Sequence, residues 1–137
     1  MGGTRLTRTL TFERALLRLE EGLEKPEDAI VRDACVQRFE FTFEMAWRAV
    51  QAFATVEGLD CVSPRECFRT AFRLGLIEND PVWMAMVEDR NRTSHIYDED
   101  VAREIYGTLP GYARLFRTLL TALHAGEERQ LRDAGGG

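Results

Sequence analysis

One apolar stripe constrains the fold of this chain more than any other feature. Between the turn signals at Pro26 and Gly58 there is no helix breaker, and apolar residues recur every three or four positions. The stripe consists of Cys35, Phe39, Phe43, Ala46, Val50 and Phe53. This pattern predicts one helix that starts around Glu27-Asp28 and runs for roughly 30 residues, or about 45 Å. A helix of that length is expected to be the central element of a bundle.

The segments on either side of this helix also predict helices. A first helix is indicated by a stripe of Phe12, Leu16, Leu19 and Leu23. Lys25-Pro26 ends it. Ser63 and Pro64 begin a third helix, because serine is a favoured N-cap and proline is tolerated at the first helical position. Gly75 marks its end.

Two further helices are predicted in the second half of the chain. Asp80-Pro81 starts a fourth helix that leads to Arg90, and the acidic residues at 98–100 start a fifth, where the helix dipole favours negative charge. The stripe of the fifth helix is Val101, Ile105, Leu109, Tyr112, Phe116, Leu119 and Leu123. Pro110-Gly111 predicts a kink or a split within it. The expected fold class is an all-α, antiparallel up-and-down bundle of four to five helices.

The length of 137 residues suits a single domain. We expect one bundle over residues 1–125 and a disordered polar tail over 126–137. No apolar run approaches the roughly 18 to 20 residues of a membrane span, and no signal core is present, so the cytoplasm is the expected location. Cys35, Cys61 and Cys67 lack the spacing of a zinc pair, and we expect buried thiols.

The charge of the chain limits its partners. A formal net charge of −5 argues against broad binding to a nucleic-acid backbone, which needs a basic face. Any contact with RNA is therefore expected to be local, and DNA is not expected as a partner. The sequence has no cluster of residues with metal-ligand spacing. No metal or other cofactor is expected.

The segment 88–99 is where chemistry is expected. It combines arginine, amide, hydroxyl, imidazole and phenol side chains at a helix end and in the turn that follows, a set suited to handling phosphate. Trp83, Met86 and Val87 fall at helical spacing with Arg90, so the arginine shares the apolar register. A charge there needs a partner. Arg90 is thus either the anchor of an ion pair, within or between chains, or the receptor of an anionic group in a cleft.

Arg90 and His95 resemble the signature of HEPN domains (higher eukaryotes and prokaryotes nucleotide-binding), an arginine followed after a short spacer by a histidine. Other motifs resemble one branch of this family, the bacterial and archaeal nucleotidyltransferase substrate-binding proteins. These motifs are Arg32-Asp33-Ala34, Gln37-Arg38-Phe39-Glu40-Phe41-Thr42-Phe43-Glu44, Ala46-Trp47, Ser63-Pro64-Arg65-Glu66, Ala71-Phe72 and Leu74-Gly75-Leu76-Ile77. The resemblance covers roughly residues 5 to 123 in the same order. It implies the same helical bundle.

The resemblance also implies an activity, metal-independent RNA cleavage in which a ribose 2′-OH attacks the adjacent phosphate. Arg90 would stabilise charge and His95 would act as general acid or base. Asn91 and Ser94 would bind phosphate oxygens or hold Arg90. The structural alternatives are that His95 caps the fourth helix or bonds a carboxylate, and that Asn91 and Ser94 satisfy carbonyls at the helix end. HEPN relatives form composite sites, so a homodimer with two copies of Arg90 and His95 in one cleft is expected.

Tyr97 completes the pattern two residues after His95. In related toxin–antitoxin pairs a minimal nucleotidyltransferase transfers AMP to this tyrosine and silences the nuclease. The resemblance thus implies that Tyr97 is an AMP acceptor and that the partner is such an antitoxin. The alternative for Tyr97 is a half-buried interface tyrosine.

Two functions from different classes follow. The first is a HEPN-type ribonuclease toxin neutralised by a minimal nucleotidyltransferase. The second is a non-catalytic subunit that binds a nucleotide or presents a substrate to that enzyme. Two polar rows also stand out, one of Gln37, Glu40, Glu44, Arg48 and Gln51, the other of Arg65, Arg69 and Arg73. Both are expected to be solvated faces, the first with a Glu44–Arg48 pair; alternatively, the first faces the cleft and orients Arg90, and the second docks an acidic partner or RNA.

Overall fold

Five helices and one 3₁₀ turn make up the part of the chain that the computed structural model describes, residues 2–78 and 81–136. The elements are α1 (Gly2–Leu23), α2 (Ala29–Val56), α3 (Pro64–Arg73), α4 (Pro81–Arg92), the 3₁₀ turn η1 (Thr93–His95) and α5 (Glu99–Gly136). No strand occurs in these two ranges. The predicted all-α bundle is confirmed. None of the described helices is long and apolar enough to cross a membrane.

α2 is the central helix, as its apolar stripe predicts. It contacts each of the other four helices. The Asp28 side chain accepts a hydrogen bond of 2.7 Å from the Val31 amide and thereby caps the start of α2. Past its end, Gly58 has φ 81°, a conformation that favours glycine. Every member of the predicted stripe is buried.

Aromatic side chains join α2 to the helices around it. The Phe39 ring stacks on Tyr112 of α5 at 5.5 Å between centroids. The Phe43 ring meets Phe68 of α3 at 5.6 Å, and Phe68 in turn meets Trp83 of α4 at 4.8 Å. Offset and edge-to-face pairs of this kind add to the free energy gained by burial. They set the position of α4, the helix that carries Arg90.

The structure has the predicted start and end of α3 and the predicted start of α5. The Ser63 hydroxyl accepts a hydrogen bond of 3.2 Å from the Glu66 amide, which starts α3. Gly75, with φ 76°, follows the end of α3. The Asp98 carboxylate accepts a hydrogen bond from the Asp100 amide at 2.9 Å, at the start of α5. The proposed cap Asp80 lies outside the described residues, although α4 does begin at Pro81.

The C-terminal segment differs from the expected disordered tail over 126–137. α5 continues to Gly136, and Glu127 is only 2% exposed. The Thr9 hydroxyl of α1 donates a hydrogen bond to the Glu127 carboxylate. The Gln130 side-chain amide donates to the Phe53 carbonyl at 3.3 Å and to the Glu57 carboxylate at 2.7 Å. These polar side chains have partners on α1 and at the end of α2, so the segment can pack against the bundle.

Pro110 lies inside α5 and does not split it. Its ring removes one backbone hydrogen bond, a cost that alone would favour a break. Leu109, Tyr112, Ala113 and Phe116 around it are all buried in the core. Their burial offsets that cost and keeps the helix continuous.

The expectation of three buried thiols holds only for Cys35. Cys61 and Cys67 form a disulfide, with their Cα atoms 5.0 Å apart. Cys61 lies in the loop before α3 and Cys67 six positions later within α3, and the Gln51 side-chain amide donates a hydrogen bond of 2.8 Å to the Cys61 carbonyl. Cys35 is a free, buried thiol. Burial raises the pKa of Cys35 above its usual range, while the charge of Arg38 opposes that shift.

Protein purified without reductant is expected to have one free thiol. In denaturant, a thiol reagent should titrate one group per chain, Cys35, and three after reduction, because the disulfide protects the other two. In the folded state Cys35 should react slowly, since burial disfavours its thiolate. Three thiols in denaturant without reductant would contradict the disulfide.

Packing of the C-terminal segment can be tested with two glycines of the same helix. A Cβ at Gly126 would lie 2.6 Å from the Phe53 ring, whereas a Cβ at Gly107 would meet nothing within 4 Å. Gly126→Ala should therefore lower the free energy of unfolding by about 1–3 kcal/mol. Gly107→Ala should raise it by up to about 1 kcal/mol through helix propensity. Urea unfolding measures both; equal stabilisation by both variants would mean that the segment after residue 125 does not pack.

Candidate functional site at the end of α4

The apolar face of α4 brings Arg90 to the edge of the core. Trp83, Met86 and Val87 are buried, as the helical spacing predicts. Arg90 follows on the same face, half-buried, with its guanidinium carbon 5.8 Å from the centre of the Phe43 ring. The guanidinium group of Arg90 therefore lies close to an aromatic ring, and about a third of the Arg90 side chain is exposed at the protein surface.

Glu44 of α2 is the carboxylate that holds Arg90. Its Oε1 accepts a hydrogen bond from Arg90 Nη2 at 2.9 Å, and its Oε2 accepts one from Arg48 Nε at 3.3 Å. The predicted Glu44–Arg48 pair is thus confirmed, and it is shared with Arg90. Arg48 also lies over the Trp47 ring, 4.9 Å from its centre. Arg90 Nε is buried and has no hydrogen-bond partner among the described residues.

An open cavity of about 310 Å³ borders this ion pair. It is lined by Gln37, Glu40, Phe41, Glu44 and Arg90. The sequence left open whether the polar row of α2 is a solvated face or faces the cleft, and its first three members border the cavity. The first alternative for Arg90 is confirmed, since it forms an ion pair within the chain. Arg90 also lines an open cavity, and its role as the receptor of an anionic group stays a prediction.

A second polar network attaches the end of α4 to α5. The Tyr112 hydroxyl donates a hydrogen bond to Asp89 Oδ2 at 2.6 Å. Burial is the main cause that raises the pKa of Tyr112, and the Asp89 bond raises it further. Arg92 binds Asp89 at 3.3 Å and also binds Glu104. Arg92 thus connects α4 to α5, with about two-fifths of its side chain still exposed.

In the second polar row, Arg65, Arg69 and Arg73, one arginine forms an ion pair. Arg65 of α3 binds Glu88 of α4 at 2.6 Å. Arg69 and Arg73 are exposed, and neither forms an ion pair among the described side chains. The row is thus a solvated face that also ties α3 to α4.

His95 ends the 3₁₀ turn and is exposed. Its Nδ1 is 3.4 Å from the Tyr97 hydroxyl, and the two rings meet edge to face at 5.9 Å. Within residues 2–78 and 81–136 its ring bonds neither a carboxylate nor a helix carbonyl, the two structural roles that the sequence allowed. No hydrogen bond joins it to Arg90 in these ranges. The imidazole is therefore free to meet a ligand.

The residues between Arg90 and His95 shape the turn. The Thr93 hydroxyl donates a hydrogen bond of 2.7 Å to the Arg90 carbonyl. The Ser94 hydroxyl is 3.4 Å from the Asn91 carbonyl, which matches the structural alternative for Ser94. Asn91 is exposed.

Tyr97 lies on the surface, with 84% of its area exposed. Within this chain it is not half-buried. Its phenol is accessible to a second protein, and the His95 ring lies next to it. Whether it accepts AMP stays a prediction.

The sequence did not identify Asp89 and Tyr112 as partners, because they are 23 positions apart and on different helices. No pattern in the sequence pairs them. The sequence predicted that the polar row could orient Arg90, but it did not indicate which of the two glutamates, Glu40 or Glu44, would do so. No group of three or more potential metal ligands occurs among the described residues.

Comparisons with known proteins agree with this architecture. A family model described as nucleotidyltransferase substrate binding protein like matches residues 7–125. The chain is 28% identical over 91 residues to the Probable ribonuclease HepT of Haemophilus influenzae. That match spans 63% of this chain and 62% of the relative, so it leaves over a third of the relative's length unmatched.

Two solved structures are similar in fold. One is a crystal structure of a protein from Thermus thermophilus, with a TM-score of 0.78, 40% identity, and coverage of 82% of this chain and 98% of that one. The other, from Haemophilus influenzae, is described as the fold of a substrate binding domain of a nucleotidyltransferase. It has a TM-score of 0.60 and 19% identity over 90% of this chain and 99% of that one, and it supports the fold alone. This chain belongs to the nucleotidyltransferase substrate binding protein like family, which is HEPN-like.

Proposed function

We propose that this protein is a metal-independent endoribonuclease whose site consists of Arg90 and His95. The observation that carries the proposal is the contrast between these two side chains. Arg90 is held by Glu44 at an open cavity, while His95, five residues further along the chain, is exposed and has no hydrogen bond to a carboxylate of the described residues. An oriented cation and a free imidazole are the groups that phosphodiester cleavage needs. The name of the Haemophilus influenzae relative, a probable ribonuclease, supports the same activity.

The proposed chemistry needs only these groups and the RNA. The ribose 2′-oxygen forms a bond to the adjacent phosphorus and loses its proton to a general base. The bond to the 5′-oxygen breaks, and a general acid protonates that leaving oxygen. The products are a 2′,3′-cyclic phosphate and a 5′-hydroxyl. Arg90 stabilises the negative charge that develops on the non-bridging oxygens.

One imidazole cannot be base and acid at the same moment, which favours a two-fold dimer. In a homodimer with the α4 ends facing each other, two copies of Arg90 and His95 share one cleft. One His95 then takes the 2′-OH proton, and the other donates a proton to the leaving oxygen. Asn91 and Ser94, both exposed beside this site, are proposed to contact phosphate oxygens.

A nucleotidyltransferase is the proposed protein partner, as the family description suggests. The pair would form a toxin–antitoxin system in which the partner transfers AMP to Tyr97. The exposure of the phenol and the His95 imidazole beside it support this role. A modified Tyr97 would place a phosphate and a bulky nucleoside next to His95, where they would block the cleft.

A second candidate is a non-catalytic subunit that binds the nucleotidyltransferase and presents a substrate to it. The family description and the exposed Tyr97 favour this function. The net charge of −5 also favours it, because an acidic protein binds RNA weakly. Cleavage assays separate the two functions. A pure binding subunit has no use for the free imidazole of His95.

The purified protein is expected to cleave a mixed RNA pool in EDTA. Arg90→Ala should slow cleavage by about 10²–10³-fold through lost charge stabilisation. His95→Ala should slow it by about 10²–10⁴-fold. Glu44 keeps its bond to Arg48 in the first variant, so no carboxylate is left unpaired. Product ends should be 2′,3′-cyclic phosphates, measured by gel electrophoresis and mass spectrometry.

Matched controls exist for both variants. His124, the other histidine, is exposed and pairs with Glu13 on α1, so His124→Ala should leave cleavage unchanged. Arg65 pairs with a glutamate across helices as Arg90 does, with similar exposure, and Arg65→Ala is the matched arginine control. If the four variants and the wild type are equally inactive, the binding-subunit function replaces the nuclease.

AMP transfer can be assigned among the three tyrosines. Incubation with the cognate nucleotidyltransferase and ATP should add the mass of AMP to wild type and to Tyr106→Phe, but not to Tyr97→Phe. Tyr106 is half-buried and serves as the control. The modified protein should lose nuclease activity. A peptide map that locates AMP on another residue would refute the assignment to Tyr97.

A further inference from the structure

We propose that RNA lies in a groove across α2, in which Phe41 is a stacking surface for one base and arginines on either side bind phosphates. This inference rests on the proposed nuclease function and names where its substrate binds. It starts from an exposed aromatic side chain that the bundle does not use: Phe41 is 53% exposed, although Phe39 and Phe43 beside it are buried.

Phe41 and Gln37 each line two cavities. The first is the cavity of about 310 Å³ that contains Arg90. The second has a volume of about 510 Å³ and is also lined by Ala15, Arg18, Ala34 and Arg38. Since the two cavities adjoin at the same two side chains, they form one groove that leads from the Arg90 end over α2 to α1. Each is large enough to accept part of a nucleotide.

The charges along this groove suit a single strand of RNA. Arg18 is exposed on α1 and Arg38 is half-buried on α2. Arg38 Nη1 donates a hydrogen bond of 2.8 Å to the Arg18 carbonyl, which places the two residues side by side. Neither forms an ion pair within the described part of the chain. They supply a local positive patch in a protein whose net charge is −5.

Glu40 and Glu44, the two carboxylates that line the groove, border the cavity that contains Arg90. Glu44 is already paired with Arg90 and Arg48. Glu40 and Gln37 flank Phe41 on α2, where a carboxylate and an amide can bond the amino groups at a base edge. A base stacked on Phe41 thus has polar groups beside it, with Arg90 on one side and Arg38 on the other for its flanking phosphates.

The chain contains a matched pair of sites for the test. Arg38 and Phe41 are three residues apart on α2, and Arg69 and Phe72 are three residues apart on α3. Phe72 is 47% exposed, close to the value for Phe41. The double variant Arg38→Ala/Phe41→Ala therefore has a control of the same composition and spacing in Arg69→Ala/Phe72→Ala, which lies outside the groove.

Binding is measured by fluorescence anisotropy with a labelled single-stranded oligoribonucleotide whose 2′-O-methyl groups prevent cleavage. The groove variant should bind about tenfold or more weakly than wild type, while the control binds as wild type does. The slope of log affinity against log salt should fall in magnitude by about 0.7 in Arg38→Ala, for one lost phosphate contact, and Arg38→Lys should restore it.

Stacking itself has a direct readout in Phe41→Trp. The two native tryptophans are buried, so a tryptophan at position 41 reports on the groove. RNA should quench its emission, and binding should stay at the wild-type level. Retained RNA binding by Phe41→Trp would also show that the variant is folded, because a misfolded variant would not bind RNA.

Three outcomes would overturn the groove. Equal binding by the groove and control variants would show that RNA lies elsewhere, and absence of binding by wild type would remove the site altogether. Loss of a dimer in the groove variant, measured by sedimentation, with unchanged RNA affinity would mean that a second copy of the chain covers Phe41. Cleavage by Arg90 and His95 is assayed separately, so the nuclease can stand when the groove fails.

Discussion

The ion pair between Arg90 and Glu44 connects the bundle to its candidate site. A guanidinium at the edge of an apolar core is costly unless a carboxylate and a polarisable surface accompany it, and here Glu44 and the Phe43 ring do so. Both belong to α2, which also contacts every other helix. The position of Arg90 therefore depends on the whole bundle. A shift of α4 against α2 would change the orientation of the cation at the cavity.

The end of α4 is bonded to α5 on one side and open to solvent on the other. Asp89 binds Tyr112 and Arg92, which attach α4 to α5, while His95 and Tyr97 reach solvent after the 3₁₀ turn. Such an arrangement suits a site that acts on a large substrate. The bundle holds the charge of Arg90 in place, and the groups that we propose to exchange protons or accept AMP, His95 and Tyr97, stay accessible.

Features that depend on neighbours in the chain were predictable. Asp28 and Ser63 cap helices because a side chain reaches an amide three residues on, and Gly58 and Gly75 follow helices because glycine tolerates positive φ. Features that join distant segments were not. Polar residues near the C-terminus suggested disorder, yet Glu127 has its partner 118 positions away on α1. The disulfide was missed for a different reason: Cys61 and Cys67 are only six positions apart, but their spacing alone does not show that the start of α3 brings their Cα atoms within 5.0 Å.

For the site, the sequence by itself indicated the candidate residues, the register of Arg90 on α4 and the family to which the chain belongs. Arg90, His95 and Tyr97 are within eight positions of each other, so their spacing is a local property. Only the tertiary structure decided that Glu44 holds Arg90 and that Phe41 borders the same cavity. The choice between Glu40 and Glu44 depends on how α2 is rotated against α4. That rotation is set by the packing of Phe43, Phe68 and Trp83 across three helices, and no single helix encodes it.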